Sequence, residues 1–342
     1  MEELLKLQKK IIPELIETLE KRYNILRNIY YNQPIGRRTL ALKMNFGERI
    51  IRTEVEVLKK QDLLEIQSFG MYVTHEGEII IDKLKDYVHS LKDLKSLEKK
   101  LEEILSIKKV IIVPGHYDND NLIIRDIGKT SSECIKSILK DNNIIGITGG
   151  LTMAQVAQEM PYDNTRNNIL VLPARGGLGK NVESQANNVA AKLAKKLNGS
   201  YKLFHVPDSL EKKALDAVLQ IPEIKEFKSL IKKIDILVFG LGRADEMAER
   251  RKLPEDAVKR IMNRGAVAEA FGYYFNRKGE KVWESSTVGL SLVDLNNVKN
   301  VIGIACGEKK AEAIMAIASL KRDMILIIDE GVSRKILETT SE

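Results

Sequence analysis

Apolar residues recur at helical spacing through residues 14–31, at Leu15, Ile16, Leu19, Tyr23, Ile25, Leu26, Ile29 and Tyr30, and the pattern stops before Gln33-Pro34-Ile35-Gly36. A second, short helix fits 37–44. After Asn45-Phe46-Gly47, the segment 48–60 (ERIIRTEVEVLKK) places Ile50, Ile51, Val55 and Leu58 on one face and Arg49, Arg52, Glu56 and Lys59 largely on another. Residues 63–75 then carry β-branched and aromatic side chains on both sides of Ser68-Phe69-Gly70, as a hairpin does. Three helices followed by a hairpin predict a winged helix-turn-helix over 1–76, with 48–60 as the helix that enters a DNA major groove.

From 77 to 105, apolar positions that include Leu84, Tyr87, Leu91, Leu94, Leu101 and Ile104 recur at a period near 3.5 with charges between them. This spacing predicts a linker helix, which either zips two subunits together or packs on its own domain. Residues 106–342 alternate strand and helix patterns. Candidate strands are 110–113, 144–148, 169–172, 201–205, 236–239, 301–305 and 324–328, which predicts an α/β domain built on a parallel sheet. In such sheets a ligand lies beyond the carboxyl ends of the strands.

Several of those ends share one chemistry. They read Thr148-Gly149-Gly150-Leu151-Thr152, Pro173-Ala174-Arg175-Gly176-Gly177-Leu178-Gly179, Gly240-Leu241-Gly242-Arg243 and Cys306-Gly307-Glu308-Lys309-Lys310. A strand that turns on glycines into a helix aims backbone N–H groups and the positive end of a helix dipole at one point, which suits a phosphate. The dinucleotide fingerprint G-x-G-x-x-G and the P-loop G-x-x-x-x-G-K-[ST] are both absent from the first turn. Four glycine turns at one end of a sheet, with Arg175 and Lys309 or Lys310 among them, therefore predict an anion pocket that is not a nucleotide fingerprint.

Composition adds location. The formal net charge is +7 in 342 residues, and 21–60 alone holds ten basic residues against three acidic ones, so this short segment carries the whole excess. A polyanion-binding face follows, with Arg49 and Arg52 as base or groove candidates, Arg37 and Arg38 as phosphate candidates, and Lys59 on the same helix. Cys134 and Cys306 lie in unrelated segments, and the four histidines show no ligand spacing to them or to each other, so no disulfide framework and no metal site is expected. No apolar run approaches the roughly 18 residues of a membrane span, and a cytoplasmic protein is expected.

The stretches QPIGRRTLALKMNFGERIIRTEVEVLKKQDLL, ITGGLTMAQVA, VLPARGGLGKNVESQANNVA, MAERRKLPED, AVAEAFGYYFN and GEKKAEAI resemble the sorbitol-operon-regulator (SorC) family of transcriptional regulators over nearly the whole chain. The resemblance implies an N-terminal DNA-binding domain, a C-terminal domain related to sugar-phosphate isomerases and deaminases, and a phosphorylated sugar as effector, fructose 1,6-bisphosphate in near relatives. It further implies a repressor of a glycolytic operon and a homo-oligomer, a tetramer built from dimers on paired operator half-sites. Carried to matching motifs, the ligand meets Gly149, Gly150 and Thr152, then Arg175 and Gln185, Arg250, Glu269 and Lys310, with Gln185 and Glu269 suited to sugar hydroxyls. The family turn usually reads Gly-Gly-Thr-Thr, and Leu151 here removes the first hydroxyl. The rival reading is a phosphosugar isomerase or deaminase carrying a DNA-binding domain. It lacks a histidine in Phe239-Gly-Leu-Gly-Arg-Ala-Asp-Glu-Met and would have to use Asp245 or Glu246 as base.

Overall fold

The computed structural model describes residues 10–176, 181–206, 212–285 and 288–341. They form two compact units that divide between Ser96 and Leu97.

In the first unit, helices span Pro13–Asn32, Arg37–Met44 and Glu48–Lys60, within one residue of the apolar pattern at each end. The second helix stops at Asn45, which takes a left-handed conformation (φ 51°, ψ 39°) and turns its N–H back to Leu42 O at 3.3 Å; asparagine tolerates that region better than most residues. Ile25, Leu26, Ile29, Leu40, Ile51, Val55 and Leu58 pack with Leu64 and Met71 of the hairpin. Each such side chain contributes about 1.5–3 kcal/mol on burial, so packing rather than helix propensity holds these short helices. Two features depart from the sequence pattern. Ile50, counted with the apolar face, is 45% exposed, and Glu54 is buried in the interface instead. Glu54 is admitted because Lys21 Nζ and Arg22 Nε each reach its carboxylate at 2.8 Å.

The hairpin comprises β1 (Leu64–Gln67) and β2 (Gly70–Val73), antiparallel with Leu64 opposite Val73. Met71 N donates to Ile35 O at 2.9 Å, which adds a short third rung from the segment between the first two helices. Gly70 permits this approach: its φ is +144°, and a Cβ there would lie 2.9 Å from Ile35 N. The segment 77–105, expected as one helix, is two helices, His75–Leu91 and Leu94–Leu105. The break falls at Lys92-Asp93, where Asp93 has φ 53° and the Lys92 and Asp93 amides bond back to Val88 O and Ser90 O. Thr74 starts the first of them, its hydroxyl accepting Gly77 N at 3.1 Å.

The second unit is a seven-stranded parallel sheet of β3 (Lys109–Val113), β4 (Ile144–Ile147), β5 (Leu170–Pro173), β6 (Ser200–Tyr201), β7 (Ile236–Gly240), β12 (Asn300–Ala305) and β13 (Ile325–Asp329), ordered β3-β13-β12-β7-β4-β5-β6. Six coincide with expected strands; the seventh, β6, shares only Tyr201 with the expected 201–205 and is exposed at the sheet edge, where 202–206 leave the sheet. The other six are largely buried apolar runs, as in a sheet covered on both faces, and Ile145, Ile147, Val171, Ile236, Val238, Ile302 and Ile304 join helix residues such as Val156, Val189 and Leu193 in the core. From β4 the chain winds outward through β5 and β6, returns to the other side of β4 as β7, and continues outward through β12 and β13. The reversal between β4 and β7 is a topological switch point.

A second sheet was absent from the sequence reading. It is antiparallel, ordered β11-β10-β9-β8, from β8 (Gly242–Arg243), β9 (Ala266–Ala270), β10 (Tyr273–Asn276) and β11 (Lys281–Glu284). Phe271 (φ 55°) and Gly272 (φ 87°) join β9 to β10 with Ala270 opposite Tyr273, the geometry of a type I′ hairpin turn. Among the described residues no helix is long and apolar enough to cross a membrane.

Candidate functional site

The carboxyl ends of β4, β5, β7 and β12 surround a cleft of about 500 Å³ in the second unit, at the switch point. Its floor is the turn after β4. Thr148 ties two strand ends together: its N–H donates to Val238 O at 3.1 Å and its hydroxyl accepts Gly240 N at 3.2 Å. Gly149 is required because a Cβ would sit 2.7 Å from Ser184 O, and Gly150 takes φ +120° to start the helix Leu151–Glu159. The Gly150 N–H is bonded to Ser184 O at 2.8 Å, so Gly150 shapes the turn, and the amides that face a ligand belong to the first helical turn after it. Leu151 and Thr152 line the cleft there, with Leu151 54% exposed.

Arg175 extends β5 beyond Pro173 and is bridged to Gly289, where a Cβ would collide with Arg175 Cβ at 2.7 Å. Its side chain is buried, and Nη1 donates to Glu269 Oε1 at 3.1 Å. The same oxygen accepts Arg251 Nη2 at 2.7 Å and Gly272 N at 2.6 Å. Glu269, expected as a sugar-hydroxyl ligand, lines the cleft from β9 and has a structural duty there as well: one of its carboxylate oxygens orients two guanidinium groups. Arg251 escaped the sequence reading, which chose its neighbour Arg250. The helix Ala244–Arg250 ends between the two, leaving Arg250 exposed at the cleft and Arg251 buried at 7%. A run of two arginines at a helix end gives no cue to which of them turns inward.

On the far wall, Gly307 (φ +97°) begins the short turn that presents Lys309 and Lys310. Asp329, fully buried at the end of β13, accepts Gly307 N at 2.8 Å and Tyr117 N at 3.2 Å, which fastens this turn and the loop after β3 to the sheet. Burial pushes the Asp329 carboxyl above the usual range despite those amide donors, and burial raises the Cys306 thiol to about 11. Cys306 is therefore a neutral wall of the cleft, not a nucleophile. Seven of the eight expected ligand residues, Gly149, Gly150, Thr152, Arg175, Arg250, Glu269 and Lys310, line the cleft; Gln185 is not among the described lining residues, although Ser184 and Ala186 beside it are. Gly177, Leu178 and Gly179 of the expected glycine turn lie outside the described residues. The described lining carries Arg175, Arg250, Arg251, Lys309 and Lys310 against Asp118, Glu246 and Glu269, an excess of positive charge that favours an anionic ligand.

In the first unit, three of the ten basic residues at 21–60 serve the fold: Lys21 and Arg22 hold Glu54, and Arg27 is buried. Arg38, Lys43, Arg49, Arg52, Lys59 and Lys60 are exposed. Arg37 is half-buried, with Nη1 3.7 Å from Glu56 Oε1, a pair of little energetic consequence at that exposure. The basic face therefore lies on the second and third helices.

Comparison with known proteins assigns the two parts of the chain to families. Residues 18–88 match the family profile of the CggR N-terminal DNA-binding domain, and residues 89–338 match that of a sugar-binding domain. The chain is 43% identical over 338 residues to the central glycolytic genes regulator of Priestia megaterium, covering 98% of this chain and 99% of the relative, and 40% identical over 337 residues to that of Bacillus subtilis, with the same coverage. The crystal structure of a SorC family transcriptional regulator from Enterococcus faecalis is 35% identical, with a TM-score of 0.67, covering 71% of this chain and 99% of that one. The matched profiles and relatives together describe a transcriptional regulator with a DNA-binding domain joined to a sugar-binding domain. The chain belongs to the SorC family, among its central glycolytic genes regulators.

Proposed function

We propose that this regulator represses a glycolytic operon and is released when a phosphorylated sugar, fructose 1,6-bisphosphate, enters the cleft at the β4–β7 switch point. The observation that carries the reading is the buried pair Arg175 and Arg251 around a single Glu269 oxygen, with Arg250 and Lys310 on the same cleft. Two guanidinium groups and one carboxylate leave a net positive charge in a site removed from water, where charge-assisted hydrogen bonds to phosphate oxygens are strong. The first-turn amides of Leu151–Glu159 suit a second phosphate. Arg250, Lys310 and the Thr152 hydroxyl bind, while Glu269 and Gly150 position.

The first unit acts as a winged helix-turn-helix. Glu48–Lys60 enters the major groove with Arg49 and Arg52 at base edges and Lys59 on the backbone, Arg37 and Arg38 meet phosphates, and the β1–β2 hairpin is the wing. The second unit belongs with the sugar-phosphate isomerases in fold and uses the same strand ends to bind without turnover. The protein works in the cytoplasm as a homo-oligomer, dimer or tetramer, on paired half-sites. The ligand shifts operator affinity only through its differential affinity for two states of that oligomer, and a coupling of about 1–3 kcal/mol is enough for release. Reciprocity then requires operator DNA to weaken ligand binding by the same factor.

Fluorescence anisotropy of the full-length protein on DNA from upstream of the glycolytic operon, with and without fructose 1,6-bisphosphate at fixed salt, tests this. Cooperative binding that falls with ligand supports the reading. Operator affinity indifferent to saturating ligand over a range of protein concentrations sinks it.

A further inference from the structure

The face of Glu48–Lys60 that points away from the core is not uniformly polar. Ile50 lies in its first turn and is 45% exposed, with Arg49 and Arg52 exposed beside it and Lys59 and Lys60 exposed in the last turn. Thr53, one turn on, is exposed, and its hydroxyl donates to Arg49 O at 3.0 Å. That bond turns the oxygen back onto its own helix and leaves the methyl group outward. Val57, half-buried, continues the line at i, i+3, i+7. A narrow strip of carbon thus runs along a helix surface that also carries the exposed cations Arg49, Arg52, Lys59 and Lys60.

We propose that Ile50, with the Thr53 methyl beside it, reads the 5-methyl group of a thymine in the major groove of the operator. The occupant is set by what surrounds the strip. An apolar protein partner would have to strip water from the flanking arginines and lysines without pairing them, whereas a DNA duplex supplies phosphates for the cations and, in the same groove, one apolar group, the thymine methyl. The first turn of such a helix is also the part that reaches base edges. Arg49 and Arg52 suit guanine, so a half-site that pairs guanine contacts with a neighbouring thymine is expected. This reading rests on Glu48–Lys60 being the groove-entering helix, and the test separates the two.

Duplexes enriched by the full-length protein from a random-sequence pool provide the probe. Each thymine of the enriched half-site is replaced in turn by deoxyuridine, which removes only the methyl group and leaves every phosphate and hydrogen-bonding edge unchanged. For the wild type, one such replacement per half-site should weaken binding by about four-fold, the value of one buried methyl group. Ile50→Ala should bind the thymine duplex about that much more weakly and no longer distinguish it from the uracil duplex; Ile50→Val should retain part of the discrimination. Ile50 lies outside the packed core, so the variants should keep wild-type unfolding curves. A wild type indifferent to methyl removal at every thymine, or an Ile50→Ala protein that still discriminates, overturns the proposal. If methyl removal has no effect while Arg49→Ala or Arg52→Ala weakens binding, the helix assignment stands and the Ile50 reading falls. If those substitutions are also silent, both fall.

Discussion

The two units use positive charge in opposite ways. The DNA-binding unit spreads Arg38, Lys43, Arg49, Arg52, Lys59 and Lys60 over exposed helix surface, where each is solvated, screened by salt and worth little alone. The sugar-binding unit withdraws Arg175 and Arg251 to 6% and 7% exposure and fixes both on one carboxylate oxygen. A long, regular polyanion can be held by many weak contacts whose register is set elsewhere. A small anion offers few contacts, so each must be oriented before it arrives. The difference teaches that the same residue types should answer very differently to substitution, salt and pH.

The largest expected effect is from Glu269→Ala. Two guanidinium groups would remain buried without their shared partner, and loss of one member of such a cluster costs about 3–5 kcal/mol. Urea unfolding of the purified variant measures this; a cost below 1 kcal/mol would mean that the cluster is as forgiving as the exposed face. Next is Arg175→Ala, which should weaken fructose 1,6-bisphosphate binding by about 1.5–3 kcal/mol in calorimetry while leaving ligand-free DNA affinity unchanged. Unaltered ligand affinity in the folded variant would remove Arg175 from the site.

A smaller effect belongs to a place where the DNA-binding unit imitates its neighbour, the buried Glu54. Burial raises the Glu54 carboxyl, but the hydrogen bonds and charges of Lys21 and Arg22 more than offset this and hold it below its ordinary range. A depressed folded-state value means stability present above the unfolded-state value, near 4.5, and lost as pH falls through the folded one. Glu54→Gln should cost about 1 kcal/mol at neutral pH, since its basic partners Lys21 and Arg22 are 32% and 40% exposed, and should flatten the acid limb of the stability curve. The smallest is Lys59→Ala. It should weaken binding to all DNA sequences alike, by under about 1 kcal/mol, and lower the salt slope by about one. A sequence-selective loss would place Lys59 at a base edge instead.

The two units also differed in how openly they were written in the chain. Helix faces and parallel core strands are long apolar signals, so Pro13–Asn32, Glu48–Lys60 and six strands of the main sheet could be read from spacing, whereas the two-residue, exposed edge strand β6 could not. The antiparallel sheet could not: β8 has two residues, β9 reads Ala-Val-Ala-Glu-Ala, and its turn depends on Phe271 with positive φ, a conformation that phenylalanine does not advertise. The duties of Glu269 and Arg251 were hidden for the same reason, because they depend on that sheet meeting the end of β5. The break at Asp93 was missed because an isolated left-handed aspartate leaves the hydrophobic period almost undisturbed.

The cleft is assembled chiefly from the strand ends that follow β4, β5, β7 and β12, with Tyr117 and Asp118 beyond β3, so its parts are dispersed from Tyr117 to Lys310. The contacts of the basic unit, by contrast, are complete by Ser96. During synthesis at roughly 5–20 residues per second, the residues from Ser96 to Lys310 take on the order of ten seconds to a minute to emerge from the ribosome. Throughout that interval the nascent chain carries its DNA-binding domain without a complete cleft in its sugar-binding domain.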